Sequence, residues 1–211
     1  MKPEDLLRTH TIPVEPAPAS SRRRHLAALV GLVGLACVPL HALAQPQGSP
    51  GEVADLLGAR ARLWGQSRLR FLGLHVYDAR LWVGDGFDAL RYDAGPLALE
   101  LQYARALSGR QIARRSIDEM RRGGPLAEHE EKAWLAFMEQ AFPDVREGDR
   151  ITGLWQPRDR STRFVHNGTV QHTLSDARFG PRFFGIWLAP HSSEPQMRAQ
   201  LLRLGDAKPG A

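Results

Sequence analysis

Apolar residues alternate with polar or small residues in the first half of the chain, and this spacing places every second side chain on one face of a β-strand. The segment from Leu63 to Val83 is rich in Leu, Phe, Val, Tyr and Trp, which predicts two strands or one long bent strand. A turn is predicted at Gly84–Gly86, and the regular alternation over Leu97–Tyr103 predicts a further strand.

The middle of the chain changes to helical spacing. Ser108 and Gln111 have the spacing of a capping box, and apolar residues recur at helical intervals until the glycines at 123 and 124. A second apolar stripe predicts a helix over residues 126–141. Such stripes are usually core packing, so both helices are expected to pack on the sheet.

Three more strands are predicted over residues 149–156, 162–166 and 169–174. Asn167-Gly168 is a strong signal for a two-residue hairpin turn, and pairing across it predicts Arg163 opposite His172. An apolar helix near 183–188 and a final amphipathic helix ending near Leu204 follow. Because strands and helices occur in separate blocks, the sequence predicts an α+β fold with an antiparallel sheet.

Residues 1–44 have the pattern of a cleavable export signal. Three arginines, Arg22–Arg24, precede an uncharged apolar run over Leu26–Leu40, and the small-x-small site Ala42–Ala44 predicts cleavage after Ala44. The Ser-Arg-Arg order also resembles a twin-arginine signal. Two alternatives remain, a lipoprotein signal cleaved before Cys37 and an N-terminal membrane-anchoring helix. Export predicts a periplasmic or secreted protein with no stable membrane span after cleavage.

Composition narrows the classes of function. The 211 residues include 28 basic and 23 acidic ones, and residues 1–44 hold five of the basic and three of the acidic residues, so cleavage would lower the net charge from +5 to +3. A charge this small does not favour nucleic-acid binding. A single cysteine excludes a disulfide within the chain and metal sites built on several thiolates. No phosphate loop or Gly-x-Ser-x-Gly motif occurs and no histidine pair has helical ligand spacing, so neither a cofactor nor a metal is expected.

Four polar side chains on the apolar strands are the candidates for a ligand site: Arg68, Arg70, Tyr77 and Tyr103. A guanidinium beside a tyrosine hydroxyl would bind a carboxylate or a phenolate, since arginine stays charged and presents a planar fork of donors. Strict alternation places both arginines on the face opposite Tyr77, so a bulge or bend, for example at Gly73, would have to bring them together. The alternative is that the arginines are exposed edge residues and the tyrosines belong to the core.

Five blocks of sequence, in order, carry a resemblance to a known family. They are Gly65–Trp82, Leu97–Tyr103, Ser116–Met120, Phe142–Asp149 and Phe184–Leu188. With these blocks, roughly residues 60–205 resemble the bacterial chalcone isomerase-like proteins. The resemblance implies an open-faced β-sandwich in which helices pack on a large antiparallel sheet and leave an apolar cleft. It also implies either cyclisation of chalcones, as in the plant enzymes, or binding of fatty acids through an arginine and a tyrosine.

The chain departs from the pattern of the plant enzymes. Matching on Val76-Tyr77 puts the expected threonine near Leu72, and the asparagine and lysine that the enzymes carry further along have no counterpart at the matching positions. Without these donors the phenolate and ketone of a chalcone would lose positioning and electrostatic stabilisation. The resemblance to the fatty-acid binders is better preserved, since Tyr77 matches their tyrosine and Arg68 or Arg70 corresponds to their arginine.

The leading hypothesis is an exported protein that binds a small apolar carboxylate or phenolic ligand, with Arg68 or Arg70 as the anion anchor beside Tyr77 and Tyr103. One alternative is an intramolecular lyase or isomerase acting on chalcone-like enones, and another is a non-catalytic structural or interaction module. The predicted cleft walls are Leu72, Leu74, Leu99 and Leu101. The predicted organisation is an export signal over 1–44, a linker over 45–59, the chalcone isomerase-like domain over 60–205 and a disordered tail over 206–211.

Overall fold

The alternating segments form one six-stranded antiparallel sheet in which every strand pairs with its neighbour in sequence. The structure, a computed structural model, describes residues 49–205, so the predicted export signal with Cys37 and the predicted tail over 206–211 lie outside the described residues. The strands are β1 (Arg62–Phe71), β2 (Leu74–Val83), β3 (Leu97–Tyr103), β4 (Arg150–Gln156), β5 (Ser161–His166) and β6 (Thr169–Ser175). This confirms the predicted α+β fold with an antiparallel sheet.

Five helices accompany the sheet in the described range: α1 (Gly51–Leu57), α2 (Gly109–Arg121), α3 (Glu128–Ala141), α4 (Phe179–Leu188) and α5 (Pro195–Leu202). The predicted capping box at the start of α2 is absent, since Ser108 makes no side-chain cap. The Gly109 amide instead donates to Asp144 Oδ1 at 2.9 Å. None of the helices within residues 49–205 is long and apolar enough to cross a membrane.

Each face of the sheet packs against a different apolar cluster. Alternate residues of β3, including Leu99 and Leu101, point into the main core beneath α2–α5. The other face carries a smaller apolar cluster, in which Val53 of α1 packs with Trp82 and Ala98. Helix α1 lies in the segment that the sequence predicted to be a linker, so that segment is folded from Gly51 onward.

Two hairpins of the sheet end in the same kind of two-residue turn. Leu72 and Gly73 join β1 to β2 with φ values of 49° and 79°, and Asn167 and Gly168 join β5 to β6 with 49° and 83°. Positive φ at both positions is the signature of a type I′ turn. The segment predicted as two strands or one bent strand is therefore a hairpin.

The register of the second hairpin differs from the prediction by one residue. His172 lies opposite Phe164 rather than Arg163, because the ladder is interrupted by an irregularity between Phe164 and Val165. An extra residue in one strand shifts every later pairing.

Candidate ligand-binding site

An apolar cavity of about 410 Å³ lies between the hairpin end of the sheet and the helices that cover it. The sheet contributes Leu69, Tyr77 and Leu101, and α4 contributes large side chains that include Phe183 and Trp187. Ile112 and Ser116 of α2 complete a side of the cavity, together with charged residues described below. The cavity opens toward the tip of the β1–β2 hairpin, since Phe71 and Val76 also line it.

Two tyrosines present hydroxyl groups to this cavity. Tyr77 and Tyr103 lie opposite each other on β2 and β3, with ring centroids 6.0 Å apart and an edge-to-face angle of 75°. Trp187 Nε1 donates a hydrogen bond of 2.9 Å to Tyr77 Oη. Since an indole nitrogen only donates, the hydroxyl proton of Tyr77 is left available. Within the described range nothing accepts that proton, and no hydrogen bond engages Tyr103 Oη.

Both hydroxyls are protonated at neutral pH, as tyrosines ordinarily are, and burial extends this state to higher pH. Desolvation raises the pKa of Tyr77 well above its usual range, although the Trp187 hydrogen bond acts in the opposite direction. Desolvation also raises the pKa of Tyr103, with a further contribution from the neighbouring Tyr77. The pair can therefore donate two hydrogen bonds to a ligand oxygen but is poorly suited to remove a proton.

Two arginines line the cavity, and neither was a predicted site residue. On α2, Arg115 Nη2 lies 2.5 Å from Glu119 Oε1, and the other carboxylate oxygen lies 3.6 Å from Arg122 Nε. Glu119 is only 7% exposed, and its Oε2 makes no hydrogen bond within the described part of the chain. Arg105, which follows β3, is exposed and forms no ion pair with any described residue.

The structure does not bring Arg68 or Arg70 to the tyrosines. In the β1–β2 register Leu69 lies opposite Tyr77, whereas Arg68 lies opposite Asp78 and points to the other face of the sheet. Arg68 Nε is 2.7 Å from Asp78 Oδ1, and Arg70 Nη1 is 3.5 Å from the Gly73 carbonyl oxygen. Gly73 is used in the turn, so the bend suggested there does not rotate the arginines inward.

The residues predicted as cleft walls lie in three different places in the structure. Leu101 lines the cavity, whereas Leu99 is buried in the main core without being part of the cavity wall. Leu72 and Leu74 lie at the hairpin tip and are 86% and 56% exposed. The predicted binding roles of these residues stay predictions, but only Leu101 is placed where a ligand in this cavity would meet it.

The sequence contained a signal for the missed side of the site. Ile112, Arg115 and Glu119 recur at intervals of three and four residues, which is the spacing of one helix face. The signal is weak, because the exposed side chains of Arg110, Arg114 and Arg121 surround these residues on the same helix. No cluster of three or more His, Cys, Asp or Glu side chains between residues 49 and 205 could hold a metal ion.

Comparisons with known proteins agree with this architecture. A family model described as chalcone isomerase-like matches residues 72–203, which is more than half of the chain. A Haemophilus influenzae protein described as uncharacterized is 34% identical over 128 residues, a match that spans 61% of each chain. The crystal structure of an Arabidopsis thaliana fatty-acid binding protein superposes with a TM-score of 0.52, at 12% identity, over 70% of this chain and 89% of that chain. At that identity the likeness concerns the fold.

Proposed function

The chain belongs to the chalcone isomerase-like family, and on that premise we propose that it binds a small apolar acid of the fatty-acid type in the cavity beside Tyr77 and Tyr103. The observation that carries the proposal is the pair of tyrosine hydroxyls facing an apolar cavity with protons to donate. The volume of about 410 Å³ falls within the range of roughly 300–1,000 Å³ that ligand pockets occupy. The likeness in fold to a fatty-acid binding protein supports the same choice of ligand.

The polar end of the ligand would be held by hydroxyl groups and a guanidinium. A carboxylate oxygen accepts from Tyr77 and Tyr103, while Arg105 at the mouth supplies a positive charge that no described residue neutralises. Arg105 and Arg115 replace Arg68 and Arg70 as the proposed anchor, because only the former pair lines the cavity. The apolar chain would lie against Leu69, Leu101 and the aromatic residues of α4.

Binding is favoured over proton abstraction by the state of the tyrosines. Both hydroxyls are protonated donors at neutral pH, and burial raises their pKa, which makes the phenolate that a base would require still harder to form. This favours the binding hypothesis over an isomerase that would use Tyr77 or Tyr103 to take up a proton.

The first test measures the affinity of the full chain for a series of saturated fatty acids by titration calorimetry. Replacing Tyr77 or Tyr103 by Phe removes one donor each and is expected to weaken binding by about five- to tenfold, the value of one ordinary hydrogen bond. Tyr92→Phe is the matched control, since Tyr92 Oη donates to the Pro181 carbonyl at 2.9 Å and lies outside the cavity lining. Absence of binding to the native chain, or equal affinities in all three variants, would overturn the proposal.

A second variant tests whether the protein recognises the negative charge of the ligand. Glu119 occupies part of the hydrogen-bonding capacity of Arg115, so Glu119→Gln is expected to release that guanidinium and to tighten binding of a fatty-acid anion by about three- to tenfold. The methyl ester of the same acid should bind with unchanged affinity. An equal change for acid and ester would count against anion recognition by α2.

We also propose that the protein is exported, on the pattern of Arg22–Arg24, the apolar run and Ala42–Ala44. Intact-mass measurement of protein from the periplasmic fraction is expected to show a chain that starts at Gln45. A full-length chain confined to the cytoplasm would contradict export, and a lipid-modified chain starting at Cys37 would support the lipoprotein alternative.

A further inference from the structure

The β1–β2 hairpin ends in an apolar tip that is exposed to solvent. We call residues 71–74 the hairpin tip. In the described part of the chain, Phe71 is 65% exposed, Leu72 is 86% exposed and Leu74 is 56% exposed. Three large apolar side chains within the four residues of one hairpin tip form a cluster, whereas single exposed apolar residues are common on soluble proteins.

The requirements of the turn do not explain Leu72. The first position of a type I′ turn needs a positive φ, which favours Asn, Asp or Gly and is unfavourable for a bulky side chain. The same chain provides the comparison, since the β5–β6 turn has Asn167 at φ 49° and Leu72 has the same φ. Leu72 therefore combines an unfavourable backbone conformation with an apolar side chain that is exposed to solvent. Strain of this kind, at an exposed site, points to a function for the side chain.

Two arginines flank the hairpin tip, and Glu194 is the exposed acidic residue in the lining of the adjacent cavity. Arg70 Nη1 lies 3.5 Å from the Gly73 carbonyl oxygen, so its guanidinium is held at the tip, and it pairs with no carboxylate among the described residues. Arg105 is likewise exposed and without a described ion-pair partner. The nearest acidic group along the hairpin, Asp78, is already paired with Arg68 and faces His75 Nε2 at 3.2 Å. An apolar tip with a basic collar complements an anionic lipid surface.

The hairpin tip is also continuous with the cavity. Phe71 belongs to the tip and lines the cavity, and Val76 lines it two residues further along β2. Arg105 belongs both to the basic collar and to the cavity wall. Any surface that receives the tip therefore lies directly against the mouth of the cavity.

We propose that the hairpin tip inserts into the surface of an anionic lipid bilayer and holds the cavity mouth against it. Phe71, Leu72 and Leu74 enter the boundary between headgroups and acyl chains, and Arg70 and Arg105 contact lipid phosphates. The proposed docking depends only on the features of the hairpin tip and the arginines beside it. Only its use, which is the passage of a ligand between bilayer and cavity, rests on the proposed function.

The first experiment measures flotation of the full chain with vesicles of phosphatidylglycerol and phosphatidylcholine in equal amounts. Leu72→Asn restores the residue that the turn prefers, so its thermal midpoint should be equal to or above that of the native chain, while its vesicle partitioning should fall about tenfold. The matched control is Leu90→Asn. Leu90 is 80% exposed and lies in the connection that follows β2, and the far end of β2 is about 30 Å from the tip by the rise of a strand. Vesicles of phosphatidylcholine alone should bind the native chain more weakly.

The second experiment separates the tip from residues 1–44, whose apolar run can also bind lipid. In a Cys37→Ser background, an environment-sensitive fluorophore is attached at Leu72→Cys or at Leu90→Cys. Blue-shifted emission with anionic vesicles at position 72 and none at position 90 supports insertion of the tip. Equal shifts at both positions, or no change in partitioning for Leu72→Asn, would overturn it.

Sedimentation without vesicles tests whether the hairpin tip binds a second copy of this chain instead of lipid. A dimer of the native chain that disappears in Leu72→Asn would replace lipid docking with self-association through the tip and overturn the proposal. Vesicle insertion by a chain that binds no fatty acid would leave the docking intact and remove only the proposed ligand.

Discussion

Glu100 lies on the face of β3 turned away from the main core, and it is 1% exposed. Arg80 Nη1 lies 2.6 Å from its Oε1, and Trp82 Nε1 donates to its Oε2 at 3.2 Å. A carboxylate at this depth is tolerated because a charged partner and an indole donor compensate for the lost water. The ion pair itself therefore adds little to the stability of the fold, but removal of one partner is expected to be strongly destabilising.

Replacing Arg80 by Met is expected to lower the free energy of unfolding by about 3–5 kcal/mol, since it leaves a buried carboxylate without its charged partner. Urea denaturation of the variant measures this. The double variant with Glu100→Gln should recover much of the loss, because the remaining group is neutral. A loss below about 1 kcal/mol for Arg80→Met would show that Glu100 does not need the pairing.

At the scale of elements, helix α5 crosses the edge strand β1 at very short range. A Cβ atom added at Gly65 would lie 2.2 Å from the carbonyl oxygen of Leu201 and 2.6 Å from that of Gln200. Both are backbone atoms, so no side-chain rotation could relieve the clash. The crossing of α5 over β1 thus depends on the absence of a side chain at this one position.

Gly65→Ala is expected to cost at least the roughly 1–3 kcal/mol typical of overpacking, because the helix and the strand would have to separate. Gly84→Ala is the matched control, since a Cβ at that position meets nothing within 4 Å and its φ is not positive. Thermal denaturation of the two variants makes the comparison. Equal midpoints would show that α5 can move away from β1 without loss.

Element boundaries could be predicted from the sequence where local signals set them. The alternation over Leu97–Tyr103 gave β3 with both of its ends, and the glycines at 123 and 124 marked the end of the first long helix. Helix α1 was missed because it has only seven residues and begins after Pro50 without a side-chain cap. The β5–β6 register was missed because an irregularity in a ladder leaves no mark in the alternation of the residues around it.

The candidate site was only partly predictable, because some of its contacts join residues that are far apart in the sequence. The tyrosines were found because polar side chains stood out on apolar strands, and they do line the cavity. The hydrogen bond from Trp187 to Tyr77 joins residues 110 positions apart, and no local pattern encodes such a contact. The choice between Arg68 and Leu69 as the neighbour of Tyr77 depends on the hairpin register, which shifts between Leu69 and Arg70.

At the scale of the whole molecule, all three tyrosines of the chain are protected from ionisation. Burial raises the pKa of Tyr92 to about 12 and raises those of Tyr77 and Tyr103 further. Their usual pKa is 10.0, so above that pH the unfolded chain releases protons that the folded chain retains. The contribution of these groups to stability is therefore complete below about pH 10 and decreases as the pH rises beyond it.

We expect cooperative unfolding in alkali, with the ultraviolet absorption of phenolate appearing in the same transition as the loss of circular dichroism. Tyr92→Phe should make the decline in stability above pH 10 shallower, because one fewer proton is involved. Ionisation of the tyrosines near pH 10 in a chain that keeps its folded spectrum would contradict the burial on which this prediction depends.

The contact between α5 and β1 has a consequence for the synthesis of the protein. The Trp64 side chain donates from Nε1 to the carbonyl oxygen of Leu202 at 3.2 Å, so the first strand is completed by the last helix. While the ribosome is still making α4 and α5, the apolar face of β1–β3 lacks the part of its cover that these two helices provide. The nascent chain must therefore remain accessible to chaperones, and to proteases, until Leu202 has left the exit tunnel.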